Sequence, residues 1–377
     1  MAHALAGSGS PFGRRRVTLQ DVARAARVSK AAASRALGGY GDIGPATRER
    51  IQEAARDLGY RPSVRARALS GRGATVRCAV VSLGMATAAL GRPFYGAVLT
   101  GITSQAPEEH LDLHLVALPG EAAHRAELLA QLLAEDGADA VLLLTFFPLT
   151  PADTRPLEEG GVPYVLVNRH FGAVPGSCVT VDWAGDTRHA VEHLAALGHQ
   201  RMALLLPEGT TSTIQDHGQG WRAGLAACSL SGRAAPILRF SSTAAGGGRE
   251  LGARLLAEGL PDSGAIPTAV VCENDACGHG VLAAAQALGV RVPDQLSVLG
   301  FDNLYAAYTA PPLCSFEPHL HDLGVEAARL LGAMLRGEPA EPRRITLPME
   351  FVCRQRCGPA PQTEPRRRRT SASFQGY

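Results

Sequence analysis

Residues 17–39 read VTLQDVARAARVSKAAASRALGG and residues 43–69 read IGPATRERIQEAARDLGYRPSVRARAL, and these two stretches decide what stands at the N-terminal end of the chain. Thr18 precedes Leu19-Gln20-Asp21 in the S/T-x-x-D/E order that starts a helix. Leu19, Val22 and Ala26 then fall on one face, which predicts a helix over 19–26. Ser29 is placed to cap a second helix over 30–37, and Gly38-Gly39 to stop it. A turn of about three residues between them is helix-turn-helix spacing. Pro45 suits the first turn of a third helix, which runs through Arg48, Ile51, Ala54, Ala55 and Leu58 and ends at Gly59. In this arrangement the second helix lies in the DNA major groove with its N-terminal residues at the base edges. Those residues are Lys30 and Ala31, followed within the next turn by Ser34 and Arg35. Arg35 can pair bidentately with guanine O6 and N7, worth about 1–3 kcal/mol of discrimination, whereas Ala31 offers only apolar contact to a thymine methyl. The Ser34 hydroxyl suits a phosphate or a base. Taken alone, S-K-A-A-A-S-R-A-L reads as an alanine-rich surface helix; the ordered set of three capped helices makes it a DNA-reading element.

Charge is segregated in the same sense. Residues 1–74 hold 14 Lys+Arg against 5 Asp+Glu, residues 75–357 hold 19 against 29, and residues 358–377 hold 4 against 1, a division hidden by the net charge of +2. A basic head on an acidic body releases DNA counterions through one face only. A length of 377 residues predicts more than one domain, and 46% hydrophobic with 19% charged residues is an ordinary globular composition. No apolar run approaches the roughly 18 residues of a membrane span, and residues 1–16 lack the apolar core of a secretory signal, so a cytoplasmic, nucleoid-associated protein without a membrane partner is expected. The eight cysteines form no C-x-x-C pair, which predicts reduced, mostly buried thiols and no metal site. Residues 1–16 and the arginine-bearing tail 358–377 read as disordered.

From Arg77 the pattern alternates short apolar runs with amphipathic segments. Strands are expected at 78–83, 113–117, 140–144, 164–167 and 179–181, and again at 202–206, 237–240, 269–272 and 296–299, with helices at 125–134, 219–228, 249–258 and 278–288. This is βαβ order repeated twice, two parallel-sheet lobes in tandem, and parallel strands place ligands at their carboxyl ends. Gly246-Gly247-Gly248 reads as a loop before the 249–258 helix. None of the nucleotide-loop, zinc-protease or nucleophile-elbow motifs is present, so neither an enzyme nor a cofactor is expected.

Through residues 17–357, and most specifically in VTLQDVARAARVSKAAASRALGG and TRERIQEAARDLGYRPSVRARALSG, the chain resembles the lactose/galactose repressor (LacI-type) family of bacterial transcription regulators. The resemblance implies a small all-α helix-turn-helix head over 17–61, a hinge helix and linker over 62–74, and a periplasmic-binding-protein-like effector domain over 75–357 whose chain crosses between lobes near 182, 316 and 341. It implies that Leu69 wedges between base steps in the minor groove, with Ser63, Arg65 and Arg67 beside it near the DNA backbone. It further implies operator DNA as partner, a homodimer that leaves a tetramer open, and a small-molecule effector, a sugar or related polyol, between the lobes. The family's ligand positions fall on Phe94, Arg169, Phe240, Asn274, Asp275 and Asp302, and His217 stands where the family's binding arginine is usual. A periplasmic solute-binding protein without a DNA role is the rival reading, opposed by the head. Arg27 replaces a usual turn glycine, at a cost of about 1 kcal/mol if left-handed. Ala32 and Ala33 replace Thr-Val, and Gly38 an asparagine, so a weaker head and a different operator are expected.

Overall fold

A computed structural model describes residues 19–37, 43–58, 75–83, 92–119, 124–135, 137–145, 147–170, 172–308, 312–338, 342–354 and 357–361. The hinge over 62–74, with Ser63, Arg65, Arg67 and Leu69, lies outside the described residues, as does 1–16.

The head is three helices: α1 (Leu19–Ala25), α2 (Lys30–Leu37) and α3 (Pro45–Asp57). Ser29 caps α2 by accepting from Ala32 N at 3.1 Å. The three close over a small buried core of Val22, Ala23, Ala26, Ala33, Ala36, Ile51 and Ala55. Because five of these seven are alanines, little apolar area is buried, and polar ties add to it. Arg48 Nη1 donates to the Ala36 carbonyl and Arg50 Nε to the Ala26 carbonyl, both at 3.1 Å, satisfying acceptors at the ends of α2 and α1. Arg27, in the α1–α2 turn, has φ of 52°, the left-handed conformation that costs a side chain about 1 kcal/mol or more. Arg27→Gly is therefore expected to raise the head's unfolding free energy by about 1 kcal/mol in a urea titration; no gain would mean that the arginine side chain offsets the strain.

The body contains two six-stranded sheets. The first is built from β1 (Val76–Leu83), β2 (Leu111–Leu118), β3 (Ala140–Thr145), β4 (Tyr164–Val167) and β5 (Ser177–Val181), with helices α4 (Pro93–Gln105), α5 (Arg125–Glu135) and α6 (Pro151–Glu159) between them. The second follows as α7 (Trp183–Ala196), β6 (Met202–Pro207), α8 (Ser212–Ala227), β7 (Ile237–Phe240), α9 (Ala244–Glu258), β8 (Ala269–Cys272), α10 (Asp275–Ala287), β9 (Ser297–Phe301) and β10 (Cys314–Glu317). Then come α11 (Leu320–Arg336), β11 (Arg344–Leu347) and β12 (Glu350–Val352). The strand orders, β11-β5-β4-β3-β1-β2 and β12-β10-β9-β8-β6-β7, are the same doubly wound arrangement twice, parallel throughout except where β12 pairs antiparallel with β10. Fully buried β3, β4, β5 and β8 explain the uninterrupted apolar runs in the sequence. One core cluster is continuous from the α4/α11 side of the first lobe to the α7/α8 side of the second.

The chain passes to the second lobe at Asp182 and returns at 318–319, after β10. The third crossing, expected near 341, is at 348–349, because the chain first adds β11 to the edge of the first sheet beside β5. Two further expectations change. The glycine run is not a loop: Thr243 caps α9, and Gly246, Gly247 and Gly248 form its first turns. They are small for packing reasons, since a Cβ on Gly248 would lie 2.0 Å from the Cys277 carbonyl oxygen, where α9 meets α10. The tail is held through residue 361 rather than disordered from 358. Gly358 O accepts from buried His199 and Ser297, and Ala360 N donates to Leu197 O. Among the described residues, no helix is long and apolar enough to cross a membrane.

Candidate functional site

On α2 the 3.6-residue period turns Ala33 and Ala36 into the head's core and leaves Lys30, Ala31, Ser34 and Arg35 exposed. The four candidate base-reading positions therefore share the outward side of one helix.

A second candidate site forms where strands of both lobes end. β4 runs out into Asn168-Arg169-His170, β8 into Glu273-Asn274 and β9 into Asp302-Asn303. Asn168 and Asp302 are left-handed, with φ of 61° and 90°; such strain gathers where a site over-determines the backbone. Arg169 is buried, donating through Nη1 to the Asn168 carbonyl at 2.8 Å and across the lobes to Thr213 Oγ1 at 2.6 Å, while its Nε has no partner. His170 adds two ties to the same end of α8, its backbone N to Ser212 Oγ at 3.2 Å and its ring to Asp216 at 2.9 Å. Asp302 is partly buried within electrostatic reach of Arg169, Glu273 and Asp275, and desolvation holds its carboxyl well above the usual range. Tyr95, from α4, feels both Arg169 and Asp302, and burial pushes its phenol up to about 12.

His217 occupies the expected arginine position as a neutral ring. It is fully buried, 4.7 Å from Phe301 and 5.1 Å from Trp183 between ring centroids, and desolvation lowers its pKa to about 3. The Thr187 hydroxyl donates to the Trp183 carbonyl at 2.7 Å, so its oxygen must accept from His217 Nδ1 at 2.7 Å. That fixes the proton on Nδ1 and leaves Nε2 an acceptor without a partner.

Other candidates are used differently. Asn274 spends its amide oxygen capping α10, accepting from Cys277 N at 2.9 Å. Asp275 is a latch: its carboxylate, 1% exposed, accepts from Tyr305 N and Ala306 N at 3.1 Å and from the Ser315 hydroxyl at 2.6 Å, so three of its roughly four acceptor sites serve the fold. Phe94 sits beside Tyr95, partly buried, with ring centroids 5.1 Å apart. Phe240 is not a cleft wall. Alternation along β7 puts it with Leu238 in the α9/α10 core, where a Cβ on Gly247 would lie 2.3 Å from its ring.

Glu273, beside Asn274 and Asp275, is a residue that the sequence patterns do not single out. Burial raises its carboxyl to about 7, Arg169 opposes the shift, and Oε2 has no partner. Its signal was an acid directly after the apolar strand A-V-V-C. A folded-state pKa of about 7 against an ordinary 4.5 means the folded chain binds more protons between those values, so stability falls as pH rises through that window. Glu273→Gln is accordingly expected to melt higher than wild type at pH about 8 and to match it near pH 4.5; equal melting at both would place the carboxyl in water.

Known proteins carry the same two parts. The family described as bacterial regulatory proteins, lacI family, matches residues 18–63, and the periplasmic binding protein-like domain matches residues 191–357. The HTH-type transcriptional regulator CelR of Thermobifida fusca is 32% identical over 347 residues, 91% of this chain and 98% of the relative. The regulator DegA of Bacillus subtilis is 26% identical, across 91% of this chain and 99% of the relative. A solved structure described as a transcriptional regulator CelR-cellobiose complex shares 29% identity and a TM-score of 0.64, covering 90% of this chain and 100% of its own. A lac repressor dimer on operator, 24% identical with a TM-score of 0.65, shares the fold over 91% of this chain. These relatives regulate transcription and are not enzymes. With its helix-turn-helix head, its two doubly wound lobes and this identity along nearly all its length, the chain belongs to the lacI family of bacterial DNA-binding transcriptional regulators.

Proposed function

We propose that the protein is a repressor that binds a pseudo-palindromic operator as a homodimer and responds to a sugar or related polyol held between its two lobes. The observation that carries the effector site is the convergence of Tyr95 and Arg169 from the first lobe with His217, Glu273 and Asp302 from the second, three of them bearing buried polar atoms without partners. Carboxylates and a guanidinium suit paired hydroxyls, and the relative solved with cellobiose supports a saccharide. Two heads on one dimer match two half-sites, as two-fold symmetry requires. In this reading Lys30, Ala31, Ser34 and Arg35 read the major groove. Residues 62–74, just ahead of β1, carry the response, with Leu69 in the minor groove and Ser63, Arg65 and Arg67 along the backbone.

The lobe-to-lobe ties Arg169–Thr213, His170–Ser212 and His170–Asp216 are what an effector would strengthen or release, shifting the equilibrium by its differential affinity for the two arrangements. The test is operator binding titrated with a disaccharide panel that includes cellobiose, in wild type and Asp302→Ala. The expected result is a change in operator affinity in wild type that Asp302→Ala loses. An equal response in both, or none in either, sinks the cleft reading.

A further inference from the structure

The hydrogen-bonding inventory of the cleft is unbalanced. Among the described residues at its strand ends and around His217, the buried atoms without partners are four acceptors, Asn168 Oδ1, Glu273 Oε2, Asn303 Oδ1 and His217 Nε2, against two donors, Arg169 Nε and Trp183 Nε1. Arg169 is 8% exposed and His217 fully buried, so water meets these needs poorly. A hydroxyl brings one donor and two acceptor sites, whereas an ammonium brings three donors and no acceptor. The charges are unbalanced in the same direction. Asp275 is consumed by Tyr305, Ala306 and Ser315, and Asp216 is paired with His170. Glu273 and Asp302, within electrostatic reach of each other, are left, among the described residues, to share the buried guanidinium of Arg169; Arg92, felt by Tyr95, is exposed. An arginine at 217 would have added a second cation, but the neutral ring there adds an acceptor instead.

We infer that the effector is a polyol bearing a protonated amine, held by Glu273 and Asp302 with His217 accepting one of its N–H groups. This rests on the proposed cleft between the lobes and narrows what enters it. Burial leaves Glu273 partly protonated near neutral pH and raises the Asp302 carboxyl in the same direction, so an arriving ammonium displaces protons that a neutral sugar leaves in place.

The experiment is calorimetry on the full-length protein at pH about 6.5, near the top of the Glu273 window, with three probes of one skeleton. These are cellobiose, the β-1,4-linked disaccharide of glucosamine, and its N,N′-diacetyl form. The amine disaccharide is expected to bind at least about tenfold more tightly than the other two, as charge-assisted hydrogen bonds allow. Its heat should depend on the ionisation enthalpy of the buffer, reporting proton release, and Glu273→Gln should bring the three affinities together. Equal or weaker amine binding, no binding of any probe, or a buffer-independent heat overturns the inference. If cellobiose binds and Asp302→Ala abolishes it without any amine preference, this inference falls and the sugar cleft stands. An amine preference with no effect on operator affinity gives the converse.

Discussion

Asp275→Ala is expected to destabilise the second lobe by about 2–3 kcal/mol, because two buried donors each lose a partner worth about 1–3 kcal/mol when left unsatisfied and a third, partly exposed one loses a weaker bond. The donors are Tyr305 N, Ala306 N and Ser315 Oγ, so one carboxylate fastens the start of α10 to the loop after β9 and to β10. Burial raises the Asp275 carboxyl while these same three bonds lower it, the signature of a charge held by the fold. Asp275→Asn keeps one acceptor but turns an NH2 toward a donor, and should fall between alanine and wild type. Urea unfolding of the full chain reads this directly. A cost below about 1 kcal/mol, with effector affinity lost instead, would return Asp275 to the ligand site that the family resemblance gave it.

The second large effect concerns DNA. In the proposed reading Arg35→Ala removes a guanine contact worth about 1–3 kcal/mol in each half-site, so the proposed dimer is expected to lose about 30-fold or more of its preference for operator. Arg35 is exposed on the face of α2 opposite buried Ala33 and Ala36, so stability should hardly change. Arg35→Lys should not restore the preference, since an ammonium lacks the planar fork. If operator and scrambled DNA weaken by the same factor, Arg35 is a phosphate contact and base reading lies elsewhere on α2.

What was legible in the sequence was whatever a local pattern encodes. The residues of α2 followed from Ser29 and the Gly38-Gly39 stop, and β4, β7 and β8 from uninterrupted or alternating apolar runs. The left-handed strain at Arg27 could be anticipated because the family resemblance puts a turn glycine at that position. What the sequence hid depended on tertiary contact. Gly246 to Gly248 looked like a loop because propensity counts glycine as a breaker, whereas the close approach of α9 and α10 requires it. The start of α8 was placed seven residues late, since Ser212, Thr213 and Asp216 look polar and are buried only because the first lobe sits on them. In the candidate cleft, the family resemblance pointed to Arg169, His217 and Asp302, which the fold brings to neighbouring strand and helix ends. It could not tell that Asp275 and the Asn274 oxygen serve the fold, that Phe240 faces the outer core, or that Glu273 lies within electrostatic reach of Arg169. Those distinctions rest on where each side chain is directed once three separate strands end together.

The most direct test of the account is fluorescence anisotropy of the full-length protein on the DNA upstream of its own coding sequence and on a scrambled duplex of equal length, across about 50–200 mM salt. The account predicts a linear fall of log affinity with log salt on both duplexes, and a preference for the upstream DNA of about 10³-fold or more. Equal affinity for the two duplexes at every salt concentration would contradict it.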